Sequence, residues 1–122
     1  MDLEKYFRLS EAKLLAANGN LIGASEIISA ALSANPNDPD ARETLAEIVG
    51  SKGRKDLEIT ILAELLIEFP ASWRMAQSLF NALMSEARDE EAKEFLLGFA
   101  IANPEIQEAV ATCDSMGLAP GK

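Results

Sequence analysis

The chain has 122 residues, of which 48% are hydrophobic and 25% charged, a balance typical of one globular domain. Its formal net charge of −9 disfavours nucleic acid and anionic membrane surfaces as partners, because both would repel it. With no histidine and one cysteine, it lacks the residues for a histidine-based catalytic triad, a Cys/His zinc site or an internal disulfide.

The start of the chain and its apolar runs indicate a soluble protein. Residues 1–6 lack the basic and apolar regions of a secretory signal. The longest apolar run, residues 59–67, is interrupted by Glu64, so no membrane-spanning helix is predicted. A single cysteine, Cys113, fits a reducing compartment, and we therefore expect the cytoplasm.

The helical spacing of apolar residues predicts seven helices joined by short turns. In chain order they span residues 3–18, 21–34, 39–52, 55–68, 72–86, 89–102 and 104–116. Gly19 and Gly53 suit the left-handed conformation that ends a helix, and Asn20 is placed to cap the next helix. Asp38 followed by Pro39 is typical of a helix start, and Ser72 is a further predicted cap.

Three prolines, Pro36, Pro70 and Pro104, recur at an interval of 34 residues. Because proline lacks an amide hydrogen and disfavours helix in the residue before it, each of them closes a helix. Apolar residues recur with the same period, as at Leu15, Val49 and Leu83, or at Ile28, Leu62 and Leu96. The spacing predicts three helical hairpins over residues 5–38, 39–72 and 73–106, followed by a capping helix over 104–116.

These units resemble the tetratricopeptide repeat (TPR), which has small residues at fixed positions and a proline near its end. The first repeat matches through Ala24 and Pro36, and the third through Ala92 and Pro104. The second departs from the pattern, because Glu58 stands where the family has a small residue. The resemblance implies an all-α fold: a right-handed α-α superhelix, or solenoid, of about seven antiparallel helices in a single domain over residues 1–122.

In this family the first helices of the repeats line a concave groove that binds a peptide or protein segment. The resemblance implies that the groove side chains here are Tyr6, Leu9, Lys13, Asp40, Glu43, Glu47, Arg74, Gln77 and Asn81. The middle of this set is acidic, so we expect a partner segment with a central lysine or arginine. The alternative is that these acidic residues only stabilise a helix start or are solvated.

Catalysis is not expected. The acidic cluster of Asp89, Glu90, Glu91 and Glu94 falls at a predicted helix start, where the helix dipole favours negative charge. No phosphate-binding loop is present, and we expect no cofactor and no metal. The sequence therefore predicts a non-enzymatic interaction module, an adaptor, scaffold or co-chaperone that binds a protein or peptide.

A second hypothesis is a structural subunit that associates with copies of itself through exposed repeat ends. Tyr6, Phe7 and Leu9 predict an apolar face on the first helix, onto which a further repeat or a second copy would stack. Stacking of a second copy would give a homodimer. Trp73, the single tryptophan, opens a helix beside Pro70, which favours burial in the seam between repeats over a role at an interface.

Overall fold

The computed structural model describes residues 2–118, and within them it is all-α, with seven helices and no strand. The helices are α1 (Leu3–Ala17), α2 (Leu21–Ala34), α3 (Pro39–Ser51), α4 (Lys55–Glu68), α5 (Trp73–Ser85), α6 (Asp89–Ala102) and α7 (Gln107–Ser115). The predicted all-α class and the number of helices are confirmed. Most of the helix bounds agree with the prediction to within one residue.

Side-chain caps explain where several helices begin, because each satisfies an amide that has no partner inside the helix. Asn20 accepts from the Gly23 amide at 2.9 Å, and Ser72 accepts from the Met75 amide at 3.3 Å. Asp38 accepts from the amide of Asp40 at 3.1 Å. These are the three caps that the sequence predicts.

The turns inside the hairpins share one backbone conformation. Gly19, Gly53 and Ala87, which lie 34 residues apart, have φ angles of +85°, +91° and +59°. The left-handed turns predicted at Gly19 and Gly53 are confirmed. Ala87 adopts the same conformation although its Cβ makes it unfavourable, by about 1–2 kcal/mol for residues other than glycine.

The last helix starts later than predicted. A helix over residues 104–116 was expected, but α7 begins at Gln107 because the residues before it form a turn. Within this turn the Ile106 amide donates to the Asn103 carbonyl at 3.0 Å. The buried Asn103 side-chain amide donates to the carbonyls of Phe99 and Pro70, at 3.0 and 3.2 Å. These bonds hold the turn in place.

The chain forms two compact units, the first ending at Ile61 and the second beginning at Leu62, within α4. In the first unit α1 contacts α2 and α3, and α2 contacts α3. Its core consists of Leu9, Ala12, Ala16, Ala24, Ile28 and Ala41. Since most of these residues are alanines, the helices can approach closely. The single domain of three repeats stays a prediction.

In the second unit α5 contacts α6, and α6 contacts α7. Its buried side chains include Leu65, Met75, Leu79, Leu83, Ala92, Leu96, Phe99, Ala109 and Cys113. Trp73 is half-buried, and its ring centroid lies 5.8 Å from that of Phe99. Its predicted place in a seam between repeats stays a prediction.

Candidate functional site

Two lysines of α1 bridge to acidic side chains along one surface of the first unit. Lys5 Nζ lies 2.9 Å from an oxygen of Asp40 and 3.3 Å from one of Asp38. Lys13 Nζ lies 3.0 Å from an oxygen of Glu47. Lys5 and Lys13 are about two helical turns apart, so the ion pairs occupy two levels of the contact between α1 and α3. We call Lys5, Lys13, Asp40 and Glu47, with Tyr6 beside them, the α1–α3 surface.

Asp38 links the start of α3 to α1. The same carboxylate oxygen that accepts from the Asp40 amide also accepts from Lys5 Nζ, and its side chain is only 7% exposed. The hydrogen bond to Asp40 raises the pKa of Lys5, and Asp38 adds to the effect. Lys5 therefore carries its charge throughout the neutral pH range.

The predicted groove residues of the first unit differ in accessibility. Tyr6 is 58% exposed, and Lys13 and Glu47 are also exposed, whereas Asp40 is half-buried. Leu9 and Glu43 are buried, with 6% and 9% of their surface exposed. A partner at this surface would therefore meet Tyr6 and the ion pairs first, while Leu9 and Glu43 form part of the packed interior.

The predicted groove residues of the second unit lie on α5. Arg74, Gln77 and Asn81 are all exposed, and their spacings of three and four residues place them on one face of the helix. The grouping of all nine predicted side chains into one groove stays a prediction.

Two features of the first unit were not found from the sequence. One is the ion pair between Lys5 and Asp38, whose only signal in the sequence is that the two residues lie about one repeat apart, near the starts of α1 and α3. The other is an open groove of about 520 Å³ between α1 and α2. Its lining includes Leu9, Ile27 and Ala31.

Two features of residues 2–118 bear on a chemical role: metal-binding groups, of which none is found, and the cysteine, which is buried. In residues 2–118, no group of three or more His, Cys, Asp or Glu side chains could hold a metal ion. Cys113 is fully buried, with Sγ 3.7 Å from the carbonyl oxygen of Leu96. Burial, and to a smaller extent Asp114, raises the pKa of the Cys113 thiol, so the sulfur is protonated and unreactive at neutral pH. Across the same residues, no helix combines the length and the apolar character needed to cross a bilayer.

The helices and their hairpin turns define a TPR-like fold in the all-α class. No protein-family model matches the chain, and no curated protein is significantly similar to it. Its fold is similar to that of the solved structure of MamA AMB-1, a TPR-containing protein, with a TM-score of 0.59 and 19% sequence identity. The match covers 96% of this chain but only 66% of the MamA chain, so this chain spans less than two thirds of its length. The likeness concerns the fold alone and is consistent with a helical-repeat solenoid.

Proposed function

We propose that this chain is a non-enzymatic protein-interaction module that binds a peptide or protein segment through the first helices of its first two hairpins, α1 and α3. The observation that most supports this is the α1–α3 surface, where ion pairs reach from one helix to the next. The exposed Tyr6 follows Lys5 in α1 and, seven residues before Lys13, shares a helix face with it. Stacked helical hairpins commonly offer such surfaces to partners. More specifically, we propose that the module acts in the cytoplasm as an adaptor, scaffold or co-chaperone.

The ion pairs on this surface are suited to exchange with a partner. In the pair between Lys13 and Glu47, the side chains are 48% and 46% exposed. Such exposed pairs contribute only about 0–1 kcal/mol. A lysine or arginine of a partner can therefore replace Lys13 as the ion-pair partner of Glu47 with little loss of stability. Tyrosine is frequent among the residues that dominate binding energy, and Tyr6 is placed to contact an apolar side chain of the same partner.

A partner with basic residues is also favoured by the charge of the whole chain. The formal net charge of −9 attracts cationic segments and raises their association rate. The basic partner we propose is therefore drawn to the chain by its overall charge and positioned by Glu47 and Asp40.

A peptide selection tests this proposal. A phage-displayed peptide library is panned against the full chain, and a selected peptide is titrated into isotope-labelled protein while amide chemical shifts are recorded. We expect a basic peptide whose shifts concentrate on α1 and α3. Glu47→Lys should weaken its binding roughly ten-fold, which is about 1.4 kcal/mol.

The matched control is Glu26→Lys, which makes the same change in charge at an exposed position of α2. We expect this variant to bind the peptide within about a factor of two of the unmodified chain, because only the long-range charge changes. Equal weakening by both variants, shifts confined to α2 and α6, or failure to select any binding peptide would each contradict the proposed surface.

A further inference from the structure

An exposed apolar strip runs along α1. Leu3, Phe7 and Leu14 are 56%, 63% and 65% exposed, and their spacings of four and seven residues place them on one helix face. Tyr6 extends the strip, with its ring centroid 5.7 Å from that of Phe7. We call Leu3, Tyr6, Phe7 and Leu14 the outer strip. Single exposed apolar residues are ordinary, but several large ones on one helix face point to an interaction site.

The equivalent face of later helices is covered by other helices. One repeat period after Phe7 and Leu14 come Ala41 and Ile48 of α3, and both pack in the core that α3 shares with α1 and α2. Three periods after Phe7 comes Ala109, which is fully buried in α7, the helix that contacts α6. In α3 and α7 this face therefore packs against another helix. In α1 no helix of the described residues covers it.

Glu11 determines the chemistry of what can cover the outer strip. Its equivalents one, two and three periods later are Leu45, Leu79 and Cys113, which are apolar and half-buried or buried. Glu11 is exposed, and in residues 2–118 no ion pair or hydrogen bond of its side chain is found. It lies one turn from both Phe7 and Leu14. Covering a carboxylate is costly unless a cation pairs with it, so the covering helix needs a lysine or arginine at this point.

A second copy of this chain fits this requirement poorly. In a two-fold contact that pairs α1 with an antiparallel α1, the same flanks of the two helices meet, so the Glu11 side chains approach each other. On the opposite flank Lys13 is already paired with Glu47. The net charge of −9 on each copy adds further repulsion.

We propose that the outer strip docks an amphipathic helix of a different protein, with apolar residues on one face and a lysine or arginine at the edge that meets Glu11. This proposal does not rest on the peptide-binding role of the α1–α3 surface, because it uses another face of α1. Tyr6 belongs to both surfaces, so it is left unchanged in the test.

Two designed helical peptides provide the probe. Each has about 20 residues with a leucine face, and they differ only in carrying lysines or glutamates along one edge of that face. Their binding to the full chain is measured by fluorescence anisotropy. We expect the lysine peptide to bind roughly ten-fold more tightly than the glutamate peptide, and this preference to fall several-fold in the Glu11→Lys variant.

Variants of the strip separate docking from general attraction. Phe7→Ser and Leu14→Ser should each weaken the lysine peptide roughly ten-fold, whereas Ile101→Ser should leave it within about two-fold. Ile101 is the matched control, because it is 55% exposed but lies on α6 in the second unit. Circular dichroism melting curves check that each variant is folded. Glu47→Lys should not disrupt this binding, which distinguishes it from the proposed function.

Three results would overturn the proposal. The first is equal binding of the two peptides, and the second is binding of neither peptide at millimolar concentration. The third is a dimer in sedimentation experiments that dissociates on Phe7→Ser, because a second copy would then be what covers the strip.

Discussion

The carboxyl group of Glu58, in α4, lies directly over Gly50, near the end of α3 in the first unit. A Cβ on residue 50 would lie 2.9 Å from one carboxylate oxygen of Glu58 and would clash with the other, so only glycine leaves room for this side chain as it stands. Glu58 is 8% exposed, and Lys55 Nζ donates to it at 2.9 Å. The residues equivalent to Glu58 in the other repeats are the buried Ala24 and Ala92. The larger side chain of Glu58 in α4 is accommodated because Gly50 in α3 has no side chain.

This relationship predicts that substitutions at the two positions are not additive. In a Glu58→Ala background, Gly50→Ala should stabilise the chain by about 0.5–1 kcal/mol, because alanine favours helix and nothing then opposes its methyl group. With Glu58 present, the same substitution should give no gain, because the carboxylate is pushed away from Lys55. Urea unfolding of the four proteins measures the coupling, and additivity within about 0.5 kcal/mol would show that the two side chains do not interact.

The left-handed turn at Ala87 predicts a stabilising substitution. Ala87→Gly should raise the free energy of unfolding by about 0.5–1 kcal/mol, because relief of the Cβ strain exceeds the added flexibility of the unfolded chain. Thermal and urea unfolding measure this change.

Other glycines serve as matched controls for this prediction. Gly53→Ala should destabilise the chain by about 1 kcal/mol, since a Cβ there meets no neighbouring atom and only the backbone conformation opposes it. Gly98→Ala has the same open surroundings but lies in α6 without a positive φ, so it should stabilise. The interpretation fails if Ala87→Gly lowers stability.

Asp38 combines a helix cap and an ion pair, and two substitutions separate these roles. Asp38→Ala should cost about 1–2 kcal/mol, because it removes the cap of α3 as well as a partner of Lys5. Asp38→Asn keeps a capping oxygen and should cost about half as much or less. Unfolding by urea gives both values, and equal costs would mean that the charge matters more than the cap.

Cys113 reports on the packing of α7. Because the thiol is fully buried and its pKa is raised, we expect a thiol reagent at neutral pH to react slowly with the folded chain and rapidly in denaturant. The rate in the folded state should follow the opening of α7. Ala109→Gly, at a buried position of the same helix, should therefore speed labelling more than Gly19→Ala in the first unit. Immediate labelling of the native protein would contradict the burial of Cys113.

The sequence predicted the features that depend on neighbouring residues. The caps at Asn20, Asp38 and Ser72 and the turns at Gly19 and Gly53 depend on side chains within a few positions, so local chemistry is enough to find them. The start of α7 was missed, and one of the bonds that hold the turn before it, from Asn103 to the Pro70 carbonyl, joins residues 33 positions apart. No local pattern indicates such a contact.

The sequence predicted that the candidate site contains acidic residues, but not which lysines form ion pairs with them. The sequence places acidic residues on α3, and from this it predicted an acidic groove. The structure pairs Asp40 with Lys5 and Glu47 with Lys13, because packing of α1 against α3 brings these side chains within 3.0 Å. Whether a charge is paired or available to a partner depends on what faces it across the contact.

By itself, the sequence determined that this chain is all-α and how its helices begin, end and recur. It could do so because a helix is selected by periodic apolar side chains and by terminal residues that lie close together in the chain. Only the tertiary structure decided that Glu58 fits over Gly50, that the lysines of α1 pair with acids of α3, and that Phe7 and Leu14 are left uncovered. Each of these depends on which residues meet across a helix contact, and that is set by the packing of the whole unit.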